Sequence, residues 1–415
     1  MNVKLTYCDF PRGEISPVAS KSLSNRALVI DALTGHACKL NNLSESDDTQ
    51  TLVALLDKLN STDKIIELNA GPAGTVMRFL ATYCCLTGKE IILTGSERMQ
   101  QRPMGVLVNS LVSLGAKIEY LSRPGFAPLK IYPSHIKGGK VSLPAGISSQ
   151  FISSILLCAP YFANGIEVEL TGNIVSSSYI HLTIQVMKEF GVDVQWKNNT
   201  LCVNPGKYLA HEYTIEGDWS SASYYFAWAA LSENALIGLK GVSLLSNQGD
   251  RAIVKAAEKF GVKTISTNTG ILLEKKGSSR VVKFDMDFTE CPDIAQTVAV
   301  ICAGSQVKEA NLTGLETLSL KETDRILALK TELERFEVIN KVEQGNLLSF
   351  DASGFKIYKG LIHTYDDHRM AMSFAPLVQK TGELIIQNRD VVNKSYINYW
   401  QDLKSLGCMA ENIDI

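Results

Sequence analysis

The chain has 415 residues, 45% of them hydrophobic and 20% charged, with a formal net charge of -2. That length exceeds what one hydrophobic core usually fills, so two domains or one strongly repetitive architecture is expected. The near-neutral balance argues against a nucleic-acid or membrane-surface binder, which would carry a basic excess, and any anion site must therefore be a local cluster of cations.

The opening "MNVKLTYCDFPRG" lacks the basic segment and apolar core of a signal peptide, and no run reaches the length of a membrane span, so a cytoplasmic protein is expected. The nine cysteines form no CxxC pair and read as buried reduced thiols. The six histidines show no ligand spacing, and no metal site is expected. "SKSLSNR" (20–26) sets cations beside hydroxyls. "SESDDTQTLVALLDKL" predicts a helix with Ser44 as N-cap, acids in the first turn, and Leu52, Leu55, Leu56 and Leu59 on one face.

"NAGPAGTVMR" (69–78) reads as a nucleotide cradle, another anion site or a tight loop. It fails the P-loop pattern, because Gly74 is followed by Thr75 and Val76 rather than by a lysine and a hydroxyl. No GxGxxG occurs either. "RMQQRP" (98–103) follows with two arginines. "SSQFISSILLCAP" and "SSSYIHLTIQVMKEFG" each open with serines before a periodic apolar run, so they predict helices whose free N-terminal NH groups suit anions. Farther on, "SLKETDR" (319–325), "DDHRM" (366–370) and "VVNKSY" (391–396) again concentrate charge, though each alone reads equally as solvated or ion-paired surface.

One pattern recurs: an amphipathic helix, a Leu/Phe-Gly-Val/Ala junction, then a β-rich stretch. It starts at Leu114, Phe190 and Phe260, with weaker copies at Phe336 and Leu406, at intervals of 76, 70, 76 and 70 residues. An earlier copy begins at Leu59, only 55 residues before Leu114. Six units are predicted, the first shortened by a missing surface hairpin. Each glycine suits a helix end, where a left-handed residue turns the chain into a strand.

The segments "SKSLSNRAL", "AGTVMR", "RMQQRP", "SSQF", "EGDWSSASY", "QGD", "CPDIAQT", "KETDR" and "YDDHRMAM", in this order, resemble the 5-enolpyruvylshikimate-3-phosphate synthase family over nearly the whole chain. The resemblance implies an α/β fold of two similar domains, each of three βαβαββ units with helices inside, and an active site in the interdomain cleft. It places residues 1–18 and 217–415 in a discontinuous first domain and 19–216 in the second. It implies transfer of the enolpyruvyl group of phosphoenolpyruvate to the 5-hydroxyl of shikimate 3-phosphate, with release of phosphate, in chorismate and aromatic amino-acid biosynthesis. No cofactor and no metal are implied, and the partners are these two small molecules, with no nucleic acid and no membrane, acting on a monomer.

By matched position, Ser22, Arg26, Ser148, Ser149, Ser176 and Lys321 hold shikimate 3-phosphate. Gln150 touches both substrates, and Lys21 sits between them. Arg102, Arg325, Arg369 and Lys394 surround phosphoenolpyruvate, with Gly74 allowing close backbone approach and Arg78 bracing the loop. Asp293 is the expected base at the 5-hydroxyl, Glu322 the expected acid at C3, and Lys21 the third catalytic group. The chain departs from the family at Pro72 and Thr317, each in place of an asparagine, at Ser319 in place of an arginine, and at Val18 and Ala19 in place of Pro-Gly. Two alternatives follow: an idle homologue that senses shikimate phosphate, and the related transferase acting on UDP-N-acetylglucosamine.

Overall fold

In the computed structural model, which describes residues 1–146 and 148–414, the chain forms two compact units. One comprises Met1–Ala19 with Glu216–Ile415, and the other Ser20–Ile215. In the first unit, three four-stranded sheets repeat one plan. Lys283–Asp287 runs parallel to Glu309–Thr313, which pairs antiparallel with Leu347–Asp351, itself paired with Ile339–Glu343. The parallel pair needs a crossover, and the helix Ala295–Gly304 supplies it.

The other two sheets borrow strands from the amino terminus. Arg12–Ile15 runs parallel to Asn234–Lys240, and Asn2–Thr6 lies between Glu383–Ile386 and Ala410–Ile413, antiparallel to both. Residues at both ends of the chain thus close one sheet.

The second unit holds two sheets of the same plan, started by the parallel pairs Ile65–Asn69 with Glu90–Thr94 and Gly139–Pro144 with Ile166–Thr171. Its third sheet has two strands among the described residues, Glu212–Thr214 parallel to Lys39–Asn41. The helix Asp47–Lys58 ends at Leu59, and the next strand, Ile65–Asn69, already belongs to another sheet. The hairpin that completes the other units is absent at the short interval noted in the sequence.

The helices, not the sheets, form the centre of each unit. Trp219–Leu231 buries all thirteen residues and Ala295–Gly304 all ten, while strands alternate buried and exposed positions, as in the eBeBe pattern of Ile65–Asn69. Each helix ends near a predicted junction: Leu59, Leu114, Phe190 and Leu406 are C-caps, and Phe260 and Phe336 follow theirs by one residue. Gly115, Gly191, Gly261 and Gly407 all have positive φ.

Two details of the sequence reading are corrected. The N-cap of Asp47–Lys58 is Ser46, whose Oγ accepts from the Thr49 N–H, whereas Ser44 stands outside and donates to Ser46 Oγ at 3.0 Å. The cysteines are all free, but Cys38 and Cys202 are only partly buried.

Candidate active site

In the second unit, side-chain bonds tie helix N-termini together. Arg26, in the second turn of Lys21–Leu33, donates from Nε to Thr183 Oγ1 (2.7 Å), from Nη2 to Ser153 Oγ (3.3 Å) and Tyr179 O (3.1 Å), and from Nη1 to Ser22 O (2.7 Å). Ser153 lies in Ser149–Cys158, and Thr183 and Tyr179 in Ser177–Glu189. The Arg26 guanidinium therefore joins the early turns of all three helices. Gln150 Nε2 reaches Thr75 Oγ1 at 3.5 Å, which adds the start of Gly74–Tyr83. Lys21 Nζ pairs with Asp48 at 3.0 Å and Thr49 Oγ1 donates to Asn25 Oδ1, which adds Asp47–Lys58. Converging N-termini sum their positive dipole ends and free NH groups at one place.

The charge at this end is only partly compensated. Arg26 has no carboxylate partner among the described residues, and burial lowers its guanidinium to about 10, so it stays charged at neutral pH. A buried cation surrounded by hydroxyl and carbonyl oxygens suits an anion. Ser148 caps its helix by accepting from Gln150 N, Ser149 is buried, and Ser176 holds a left-handed backbone at φ 56 without a side-chain cap. Gln150 Oε1 is buried and unbonded among the described residues.

Gly74 opens its helix against two guanidinium groups. A Cβ added there would stand 2.7 Å from Arg102 Nη1 and 2.9 Å from Arg78 Nη1. Arg78 is buried and donates to Gly74 O (3.2 Å) and Pro103 O (3.3 Å), so it braces the loop against the Arg102 segment. Pro72 is exposed in the preceding turn.

The first unit repeats the arrangement with more acid. Asp293 stands just before Ala295–Gly304, with Oδ1 3.0 Å from Arg325 Nη1 and 3.9 Å from Lys321 Nζ, and Oδ2 2.9 Å from Arg369 Nη2. Glu322 lies 2.8 Å from Arg325 Nη2 and 3.0 Å from Lys394 Nζ. Asp367, fully buried, receives Arg325 Nε at 2.6 Å and caps the helix His368–Phe374 by accepting from Arg369 N. Burial alone would lower the Arg325 guanidinium, but Asp367, Glu322 and Asp293 outweigh it and hold it above its ordinary value.

The structure thus groups Lys21, Ser22, Arg26, Gly74, Arg102, Ser148, Ser149, Gln150 and Ser176 within one unit. Asp293, Lys321, Glu322, Arg325, Arg369 and Lys394 fall within the other. Sequence reasoning assigned no role to several neighbours. Arg369 also donates to Tyr224 OH at 3.3 Å and Ser220 Oγ at 3.4 Å, and Ser220 donates to the buried Asp250. Burial and then the charge of Asp293 raise Asp250 to about 7. All of these, with Asp48 and Asp367, lie within or beside segments already singled out for charge and hydroxyls, but which atoms pair was not legible.

The family model for EPSP synthase (3-phosphoshikimate 1-carboxyvinyltransferase) matches residues 11–403. A 3-phosphoshikimate 1-carboxyvinyltransferase of Bacteroides fragilis strain YCH46 is 44% identical over 391 residues, covering 94% of each chain. That of Psychromonas ingrahamii is 36% identical over 422 residues, covering 95% of this chain and 97% of its own. An EPSP synthase structure from Acinetobacter baumannii, 21% identical, shares the fold with a TM-score of 0.77 over 99% of this chain and all of its own. With both charged clusters inside the matched span, the chain belongs to the EPSP synthase family.

Proposed function

We propose that the chain transfers the enolpyruvyl group of phosphoenolpyruvate to the 5-hydroxyl of shikimate 3-phosphate, releasing phosphate, as a step of aromatic amino-acid biosynthesis. The observation that carries this is the family match from 11 to 403, which contains every cation of both clusters. Both substrates are multiply anionic, and the clusters offer guanidinium groups, ammonium groups and helix N-termini in a chain of nearly neutral net charge.

In this reading Ser22, Arg26, Ser148, Ser149, Ser176 and Lys321 hold shikimate 3-phosphate. Arg26, which meets no carboxylate among the described residues, supports a phosphate role most directly. Arg102, Arg325, Arg369 and Lys394 take phosphoenolpyruvate beside Gly74, Gln150 contacts both substrates, and Lys21, steadied by Asp48, serves both anions. Asp293 removes the 5-hydroxyl proton as that oxygen attacks C2, and Glu322 delivers a proton to C3. The resulting tetrahedral intermediate expels phosphate and loses a C3 proton. The same cations stabilise charge on the departing phosphate. The chain works as a cytoplasmic monomer, a setting in which its nine free cysteines stay reduced.

The test is phosphate release from phosphoenolpyruvate with shikimate 3-phosphate, and separately with UDP-N-acetylglucosamine. Release with the first alone is expected. Release with the second alone reassigns the acceptor, and release with neither, despite binding of shikimate 3-phosphate, makes the chain a sensor.

A further inference from the structure

Between the strand Leu361–Ile362 and the helix His368–Phe374, two consecutive residues hold left-handed backbone: Tyr365 at φ 53 and Asp366 at φ 54. Neither is a glycine, and a bulky aromatic residue adopts this conformation only where its surroundings impose it. The surroundings here are specific. Glu332, fully buried near the end of Arg325–Glu334, accepts from Tyr365 OH at 2.7 Å and from His363 N at 3.2 Å, and pairs with Arg335 Nε at 2.7 Å. Asp366 Oδ1 accepts from Asn388 Nδ2 at 3.2 Å, just ahead of the segment Arg389–Lys394.

The same helix grips the segment twice. Its first residue, Arg325, holds Asp367, and its eighth, Glu332, holds Tyr365. The strained pair begins at Tyr365, one of these grips, and ends directly before the other, Asp367, with Arg369 two residues farther on. Desolvation and then the Glu332 carboxylate push the Tyr365 phenol up to about 12, so it remains a donor throughout the working pH range.

We infer that Glu332 and Tyr365 are positioning residues, which hold a strained turn so that Asp367 and Arg369 meet Arg325 and Asp293 in the register the phosphoenolpyruvate site needs. The inference rests on the reading above, in which Arg325 and Arg369 take phosphoenolpyruvate. Without the phenol–carboxylate bond, the left-handed pair relaxes toward ordinary backbone and carries the Arg369 guanidinium out of place. Neither residue touches substrate in this account.

The test is steady-state kinetics of Tyr365→Phe beside the wild-type chain, with melting curves of both. Tyr365→Phe keeps the ring and removes one hydrogen bond to a buried carboxylate, so kcat/KM for phosphoenolpyruvate is expected to fall about tenfold. The KM for shikimate 3-phosphate should change less than about twofold, because its other ligands lie on different elements. Glu332→Gln keeps an acceptor for the phenol but loses the oxygen shared by the His363 N–H and Arg335 Nε, and should show a smaller loss of kcat/KM for phosphoenolpyruvate, with a lower melting temperature from the lost ion pair.

A lowered melting temperature with wild-type constants would make the bond merely structural and overturn the inference. So would equal losses for both substrates. If Tyr365→Phe does not fold, Glu332→Gln takes the same readout, and wild-type constants there overturn it. A wild-type chain without turnover would sink the functional reading, and this inference with it; turnover with unaffected variants would sink only the inference.

Discussion

Gly74 and Asp250 show how far single residues in these clusters can be read physically. Gly74 has ordinary negative φ, so alanine there suffers no backbone strain and should gain about 0.5–1 kcal/mol of stability from the helix start and a less flexible unfolded chain. Its Cβ, however, falls within 3 Å of two guanidinium ends, and these flexible groups must yield rather than the backbone. Gly74→Ala is therefore expected to melt no lower than wild type while its KM for phosphoenolpyruvate rises about tenfold. An unchanged KM would remove Arg102 from that pocket.

Asp250 carries a pH signature. Burial lifts its carboxyl to about 7, far above the ordinary aspartate range near 4, so the native chain binds the extra proton between about pH 4 and 7. The contribution of Asp250 to stability is fullest below that window, falls as pH rises through it, and levels off above, where a buried carboxylate feels the charge of Asp293. Asp250→Asn keeps an acceptor for Ser220 and removes the charge. The variant should match wild type near pH 4 and exceed it at pH 8, by on the order of 4 kcal/mol. A melting-temperature difference that stays flat with pH would contradict the raised value.

Elements were legible at their ends more than along their lengths. The junctions were readable because a helix that must turn into a strand leaves a left-handed position behind an apolar residue, and glycine marks it. At Phe336 that position is Glu337, with φ 56 and only an exposed pair with Lys356 to compensate. Glu337→Gly should stabilise the chain by about 0.5–1 kcal/mol, measured by thermal or urea unfolding, since the left-handed cost exceeds the weak surface pair. A loss of stability would mean that the Lys356 pair or the added chain freedom dominates.

The helix interiors were harder to read. Trp219–Leu231 is buried all round, so it has no polar face to set a period. Ser44 and Ser46, two residues apart, offer the cap equally in sequence, and only the Thr49 N–H, which meets Ser46 Oγ, decides between them. The site's residue types were visible along the sequence, whereas contacts such as Arg325 with Asp367, 42 positions apart, exist only once helices align.

For the whole molecule, the decisive feature is how the chain leaves and re-enters the first unit. Ala19 and Gly217 form an antiparallel bridge, and Asp218 N donates to Val18 O at 2.9 Å, so the exit and entry strands lie side by side within that unit. Everything from Ser20 to Ile215 is thus inserted at a point where the host backbone is already closed. The host also owns its sheets outright, since Asn2–Thr6 and Arg12–Ile15 both pair with strands of the carboxy-terminal half. Replacing residues 20–215 by a hairpin linker of about two to four residues should therefore leave a unit that folds cooperatively. Circular dichroism through a urea titration would show a single transition. The excised chain should release no phosphate, because Lys21, Arg26 and Arg102 are gone. A chain that stays aggregated or melts without cooperativity would mean that the first unit depends on the second for its fold, and that the bridge at Ala19 and Gly217 does not close it.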